Sequence, residues 1–109
     1  MADRKHPLEG KPFTLARWRV DPNRREEFIE AWSALGQSFL DLPYRPKWGM
    51  LLESVEEDGL FYSFGPWGSM DDLRDTRDDP ESQKALQRVA ELCIEAEPGM
   101  TFRAVKRMS

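Results

Sequence analysis

The chain has 109 residues, enough for one compact domain but not for two independent cores. It is polar, 39% hydrophobic against 33% charged with a mean hydropathy of -0.69, yet it holds four Trp, six Phe and two Tyr, so large aromatics must supply much of any core. No apolar run reaches the ~18 residues of a membrane span, Met1 to Lys11 holds no leader-like apolar stretch, the lone Cys93 excludes an internal disulfide, and a net charge of -4 argues against nucleic acid or an anionic membrane as partner; a cytoplasmic protein is the expectation.

Residues 1–12, charged and holding Pro7 and Pro12, read as a flexible tail before a single domain over 13–109. His6, the only His, stands in that tail as a bystander. Phe13 to Val20 reads as a strand, with Phe13, Leu15, Arg17 and Arg19 on one face and Thr14, Ala16, Trp18 and Val20 on the other. Asp21-Pro22 starts a helix, because Asp caps orphan N–H groups and Pro wastes none at the first helical position. Phe28, Trp32, Leu35 and Phe39 recur at helical spacing until about Leu42, before Pro43. After a Tyr44-Arg45-Pro46 loop, Trp48 to Val55 reads as a second strand, Glu56 to Gly59 as a hairpin turn, and Leu60 to Phe64 as a third strand. Ser69-x-x-Asp72 has the spacing of a capping box and opens a short helix to about Arg77. Asp79-Pro80 opens another, with an apolar stripe of Leu86, Val89, Ala90, Cys93 and Ala96 that Pro98-Gly99 ends. Met100 to Lys106 reads as the last strand.

The order strand, helix, strand, strand, broken helix, strand predicts an α+β fold: the ferredoxin-like β-α-β-β-α-β plan, a four-stranded antiparallel sheet with helices on one face. The second face should then read polar where it meets water. Instead the strands put large side chains on both sides: Leu60, Tyr62 and Phe64 against Phe61, Met50 and Leu52 against Leu51, Met100 and Phe102 against Val105. A bare apolar sheet face is an association hazard. A second copy of the same sheet is the simplest cover, which predicts a homodimer through sheet faces. Arg17 and Arg19, mid-strand on that face, need acidic partners, for which Glu53 or a carboxylate of the other subunit is the expectation.

Three stretches resemble one family. Val20–Trp32 (VDPNRREEFIEAW) looks like the first helix start of antibiotic biosynthesis monooxygenase domains; Ser54–Asp75, with its hairpin and Trp67-x-Ser69, and Asp78–Cys93 are similar to that family's hairpin and later helices. The resemblance, over about residues 13–107, implies a dimeric α/β barrel. For some members it implies oxygenation of quinols or anthrones with no metal or organic cofactor. A branch of the family degrades haem with an Asn, a Trp and a His; the corresponding positions here are Ala16, Thr76 and Leu86, so that activity is not implied.

Oxygenation without a cofactor requires a substrate that itself yields an electron, held in a dry apolar pocket. Trp67, Trp32, Trp18, Tyr62 and Phe39 are the candidate lining, with Trp48 beside them; Arg17, Arg103 or Tyr62 is the candidate oxyanion partner. Aromatics at strand and helix spacing are more often core, and Trp67 stands out because it lies at the strand–helix junction. Asp71, Asp72 and Asp75 match the Asp-Asp-x-x-Asp pattern of magnesium-dependent prenyl transfer, but on a short helix interleaved with Arg74 and Arg77 they read as a solvated face. Glu91, Glu95 and Glu97 crowd the predicted helix end, where acids oppose the dipole; either Arg103 and Arg107 on the next strand offset them or the acids face a partner. Cys93 reads as a small buried hydrophobe. Two functions fit: a cofactor-independent monooxygenase for an aromatic or quinol-like small molecule, and a non-catalytic dimer that binds a small ligand or assists a pathway protein.

Overall fold

The computed structural model describes residues 7–43 and 48–108. His6 and the Tyr44-Arg45-Pro46 loop lie outside them. The elements are β1 (Pro12–Val20), a 3-10 turn (Pro22–Arg24), α1 (Arg25–Leu40), β2 (Met50–Glu53), β3 (Leu60–Pro66), α2 (Met70–Arg77), α3 (Pro80–Glu91) and β4 (Cys93–Arg103). The strands form one antiparallel sheet in the order β2-β3-β1-β4, the order of the ferredoxin-like α+β plan. Before β1, the Gly10 N–H donates to Ala104 O and Ala104 N–H to Lys11 O, so this segment runs beside the end of the chain.

The helix starts follow the anticipated chemistry. Asp21 accepts from Asn23 N–H at 2.9 Å, Ser69 from Asp72 N–H at 3.1 Å and Asp79 from Ser82 N–H at 2.9 Å, each satisfying an orphan donor. In the hairpin, the Ser54 hydroxyl accepts from Glu56 and Glu57 N–H, and Gly59 adopts φ +79°. A Cβ at Gly59 would stand 2.3 Å from Val20 O, the carbonyl of a residue whose own N–H donates to Gly59 O. Only glycine allows this approach of the hairpin to β1.

The core lies between the helices and one sheet face. Trp18, Val20, Phe28, Phe61 and Val89 are all almost fully buried. Phe28 meets Phe61 and Trp18 with ring centroids 4.8 and 6.0 Å apart. The other face carries rungs of side chains that run straight across the strands. Met50, Phe64, Leu15 and Met100 make one rung; Leu52, Tyr62, Arg17 and Glu97 make the next. Trp48 packs edge-on against Phe13 and Phe64 at the β2 end.

Two expectations are corrected. The last strand starts at Cys93, not Met100, and α3 ends at Glu91. The apolar stripe Leu86, Val89, Ala90, Cys93 imitates helix continuation, yet Glu95 and Glu97 alternate as on a strand and both meet Arg17, at 3.3 and 3.7 Å. They therefore do not oppose a helix end. Pro98-Gly99 ends no helix: between the Arg17–Glu97 and Leu15–Met100 pairs, β4 holds one residue more than β1, a bulge that Gly99 permits at φ +78°. The second correction concerns Glu53, which pairs with neither mid-strand arginine. Arg25 of α1 grips it with Nε and Nη2, both at 2.8 Å, and Arg19 goes to Glu57 at 3.1 Å. The Arg25 fork holds the Glu53 carboxyl below the usual carboxylate range. This tie is complete at neutral pH and is lost as pH falls far enough to protonate Glu53.

Phe28→Ala removes the ring at the centre of the core and is expected to cost about 3–5 kcal/mol in a urea titration. Val55→Ala, at a fully solvated position, is expected to stay within about 0.5 kcal/mol of wild type.

Candidate functional site

A cavity of about 630 Å³ lies between the helix side of the sheet and the three helices, inside the range of small-molecule sites, ~300–1,000 Å³. β1 contributes Thr14, Ala16 and Trp18; β3 contributes Ser63; Trp67 follows β3. Trp32 and Phe39 come from α1, Leu73 from α2 and Leu86 from α3. The walls are mainly aromatic and aliphatic, so an occupant would exchange water for rings.

Alternation along the strands explains which residues arrive here. Thr14, Ala16 and Trp18 share the helix side of β1, and Phe61 and Ser63 the helix side of β3. The buried indoles cannot leave their N–H groups unbonded. Trp18 Nε1 donates to Ser63 Oγ at 2.9 Å and Trp67 Nε1 to Thr14 Oγ1 at 2.9 Å. Trp67 also packs edge-on against Phe39, with ring centroids 5.3 Å apart. Each indole is thus held at its nitrogen and against a ring, Phe28 for Trp18 and Phe39 for Trp67.

Of the candidate site residues, Trp67, Trp32, Trp18 and Phe39 border this cavity, as does Trp48 at its β2 end. Arg17 and Tyr62 do not. They stand opposite each other on the far face of the sheet, because odd residues of β1 and even residues of β3 point away from the helices. Arg17 is committed to Glu95 and Glu97, and its pKa is raised chiefly by its hydrogen bond to Glu95. Arg103, exposed at the end of β4 opposite Pro12, is not part of the lining either.

The sequence reading missed the polar part of the cavity. Thr14, Ser63, Gln37, Gln83 and Arg77 all line it. Arg77, at the end of α2, donates through Nη2 to Gly99 O at 2.7 Å and to Thr101 Oγ1 at 2.9 Å. Its only sequence signal was its place two residues before Asp79-Pro80, at a helix end. Among the described residues no group of three or more His, Cys, Asp or Glu is placed to hold a metal ion. The acidic α2 residues act locally: Asp71 pairs with Arg74 at 3.0 Å, and the backbone of Asp72 closes the Ser69 cap. No helix of the described residues is long and apolar enough to cross a membrane.

No protein-family model matches the sequence, and no curated protein matches it. Solved structures do match the fold. A variant of SnoaB, a cofactor-independent oxygenase from Streptomyces nogalater, superposes with a TM-score of 0.79 at 19% identity, over 91% of this chain and 97% of that one. A Caulobacter crescentus protein proposed to be an antibiotic biosynthesis monooxygenase gives 0.76 at 19% identity, over 91% and 93%. A conserved Methanosarcina mazei protein gives 0.73 at 13% identity, over 87% and 94%. The four-stranded antiparallel α+β fold of the single chain is the one expected, and it is shared with structures of antibiotic biosynthesis monooxygenase-type proteins.

Cys93 opens β4 half-buried, with its thiol donating to Val89 O at 3.3 Å. Burial pushes the thiol up to about 11, so it is protonated at neutral pH and a poor nucleophile. Alkylation by iodoacetamide at pH 7 is expected to run at least ~10-fold slower than for free cysteine and to accelerate steadily up to pH 11.

Proposed function

We propose that this protein is a cofactor-independent monooxygenase of the antibiotic biosynthesis monooxygenase type, acting on an aromatic or quinol-like small molecule in the cavity between sheet and helices. The observation that carries the reading is the cavity itself: about 630 Å³, bordered by all four Trp, with two indoles fixed by hydrogen bonds to the sheet. The fold likeness to a cofactor-independent oxygenase supports it. The chemistry asked of such a site is modest. An activated CH2 between aromatic rings loses a proton to solvent at the cavity mouth. The resulting anion gives one electron to dioxygen, and the radical pair combines to form a C–O bond. The resulting peroxide anion takes up a proton to become a hydroperoxide, which sheds water and leaves a carbonyl; overall, CH2 and O2 become C=O and H2O. The chain's part is to hold the ring system flat against Trp67 and Trp32 and to exclude bulk water from the reacting carbon.

The second reading is a non-catalytic binder of a small aromatic ligand. It is favoured by one observation: among the described residues no carboxylate or imidazole lines the cavity, so no side chain there is an ordinary general base. Oxygen uptake with an anthrone and quinol panel separates the two. The oxygenase predicts uptake well above autoxidation, falling at least ~10-fold in Trp67→Ala. Binding seen by tryptophan quenching with uptake at background would leave the binder.

The exposed sheet face completes the proposal. Met50, Leu52 and Phe102 are each about half exposed there, at 48, 47 and 51%. We assign this face to a homodimer, sheet against sheet, because uncovered apolar area of this kind is unstable in water. Light scattering at micromolar concentration should give twice the chain mass of 12.7 kDa. Leu52→Glu, which places a charge in the seam, should return the mass to that of one chain.

A further inference from the structure

We propose that Arg77 is a specificity residue of the cavity, and that it selects ligands carrying an ionised oxygen, a carboxylate or phenolate, on an aromatic body. The inference rests on the reading of the cavity as a ligand site and adds the ligand's charge. Acids outnumber bases 20 to 16 in this chain, and α2 itself carries Asp71, Asp72 and Asp75. Yet among the described lining residues the only formally charged side chain is Arg77.

The arginine is placed but not neutralised. Arg74, one turn earlier, is paired with Asp71; Arg77 makes no ion pair with any described residue. Its Nη2 donates to the Gly99 carbonyl and the Thr101 hydroxyl, which leaves Nη1 and Nε without a protein partner among the described residues. Neutral acceptors orient a guanidinium without cancelling its charge, and the remaining fork matches two oxygens of a carboxylate or one strongly accepting phenolate. Gly99 leaves room for this placement. A Cβ at that position would lie 3.2 Å from Nη2, against the guanidinium. The arginine is thereby anchored on the bulge of β4.

The corner around Arg77 is the charged end of a mainly apolar chamber. Thr101 pairs across the sheet with Thr14, and Thr14 Oγ1 accepts the Trp67 N–H. A hydroxyl that accepts from an indole keeps its own hydrogen to give, so the Thr14 O–H is a second donor in the same corner. An aromatic ligand lying along Trp67 would bring a ring substituent to this end. Neutral ligands gain little there; an anion gains the unpaired charge of Arg77. Because Arg77 is exposed, water screens part of that gain, and the effect is set at about tenfold rather than thousands.

The test compares 2-naphthoate with its neutral isostere 2-naphthamide, titrated against the full chain by tryptophan quenching. Wild type is expected to bind the carboxylate about tenfold more tightly than the amide. Arg77→Gln should abolish that preference, costing the carboxylate about tenfold more affinity than the amide, and Arg77→Lys should restore part of it. A purely structural role for Arg77 would weaken both probes alike, so equal losses overturn the proposal, as does a preference that survives Arg77→Gln. If neither probe binds wild type, the ligand-site reading falls and this inference with it; if both bind without discrimination, only the inference about Arg77 falls.

Discussion

A tryptophan placed inside a small domain brings a polar donor with it, and that donor must be bonded. Here the requirement is met twice in the same way: an indole N–H gives to a hydroxyl on a sheet strand, Trp18 to Ser63 and Trp67 to Thr14. The positions of the walls follow. Trp18 reaches across β1 to β3, and Trp67, after β3, reaches back to β1, so the two central strands are cross-tied at the side of the sheet that faces the helices. The residues that satisfy the indoles are small. They occupy the sheet floor where larger side chains would fill the space, and the helices rest on rings held above that floor. The chamber is thus a by-product of paying for polar atoms with short side chains.

The opposite face obeys a different rule. It has no helices to satisfy, and its rungs mix large apolar groups with ion pairs. At the β2 end Phe13, Trp48 and Phe64 cluster, while toward the other end Arg17 lies among Glu95, Glu97 and Tyr62. The ionic groups already answer one another within the chain. A partner sheet need not neutralise them and would gain chiefly from the apolar rungs.

Much of the fold was legible because its local chemistry is unambiguous. Asp-Pro starts two helical segments, Asp58-Gly59 turns the hairpin, and period two in Thr14 to Val20 divides β1 into a helix side and an open side. The same alternation already separated Trp18 from Arg17, and the candidate site ran together residues that a strand must keep apart. The start of β4 was illegible for a physical reason. Val89, Ala90, Cys93 and Ala96 satisfy helical spacing up to the point where Glu95 and Glu97 find Arg17, and that pairing is a contact between residues far apart in the chain. Arg77 was hidden likewise. Within its own helix it looks like one more solvated charge, and its role depends on Gly99 and Thr101, which only the folded sheet brings beside it.

The bulge at Pro98-Gly99 also guards a margin of the sheet. β4 is an edge of the sheet, and a long straight edge invites strand-by-strand addition of further chains. This edge bends where Pro98 offers no N–H, while the opposite edge, β2, spans only four residues. Both margins are poor templates. The molecule is thereby protected from growing into an open-ended ribbon by edge-to-edge addition of strands.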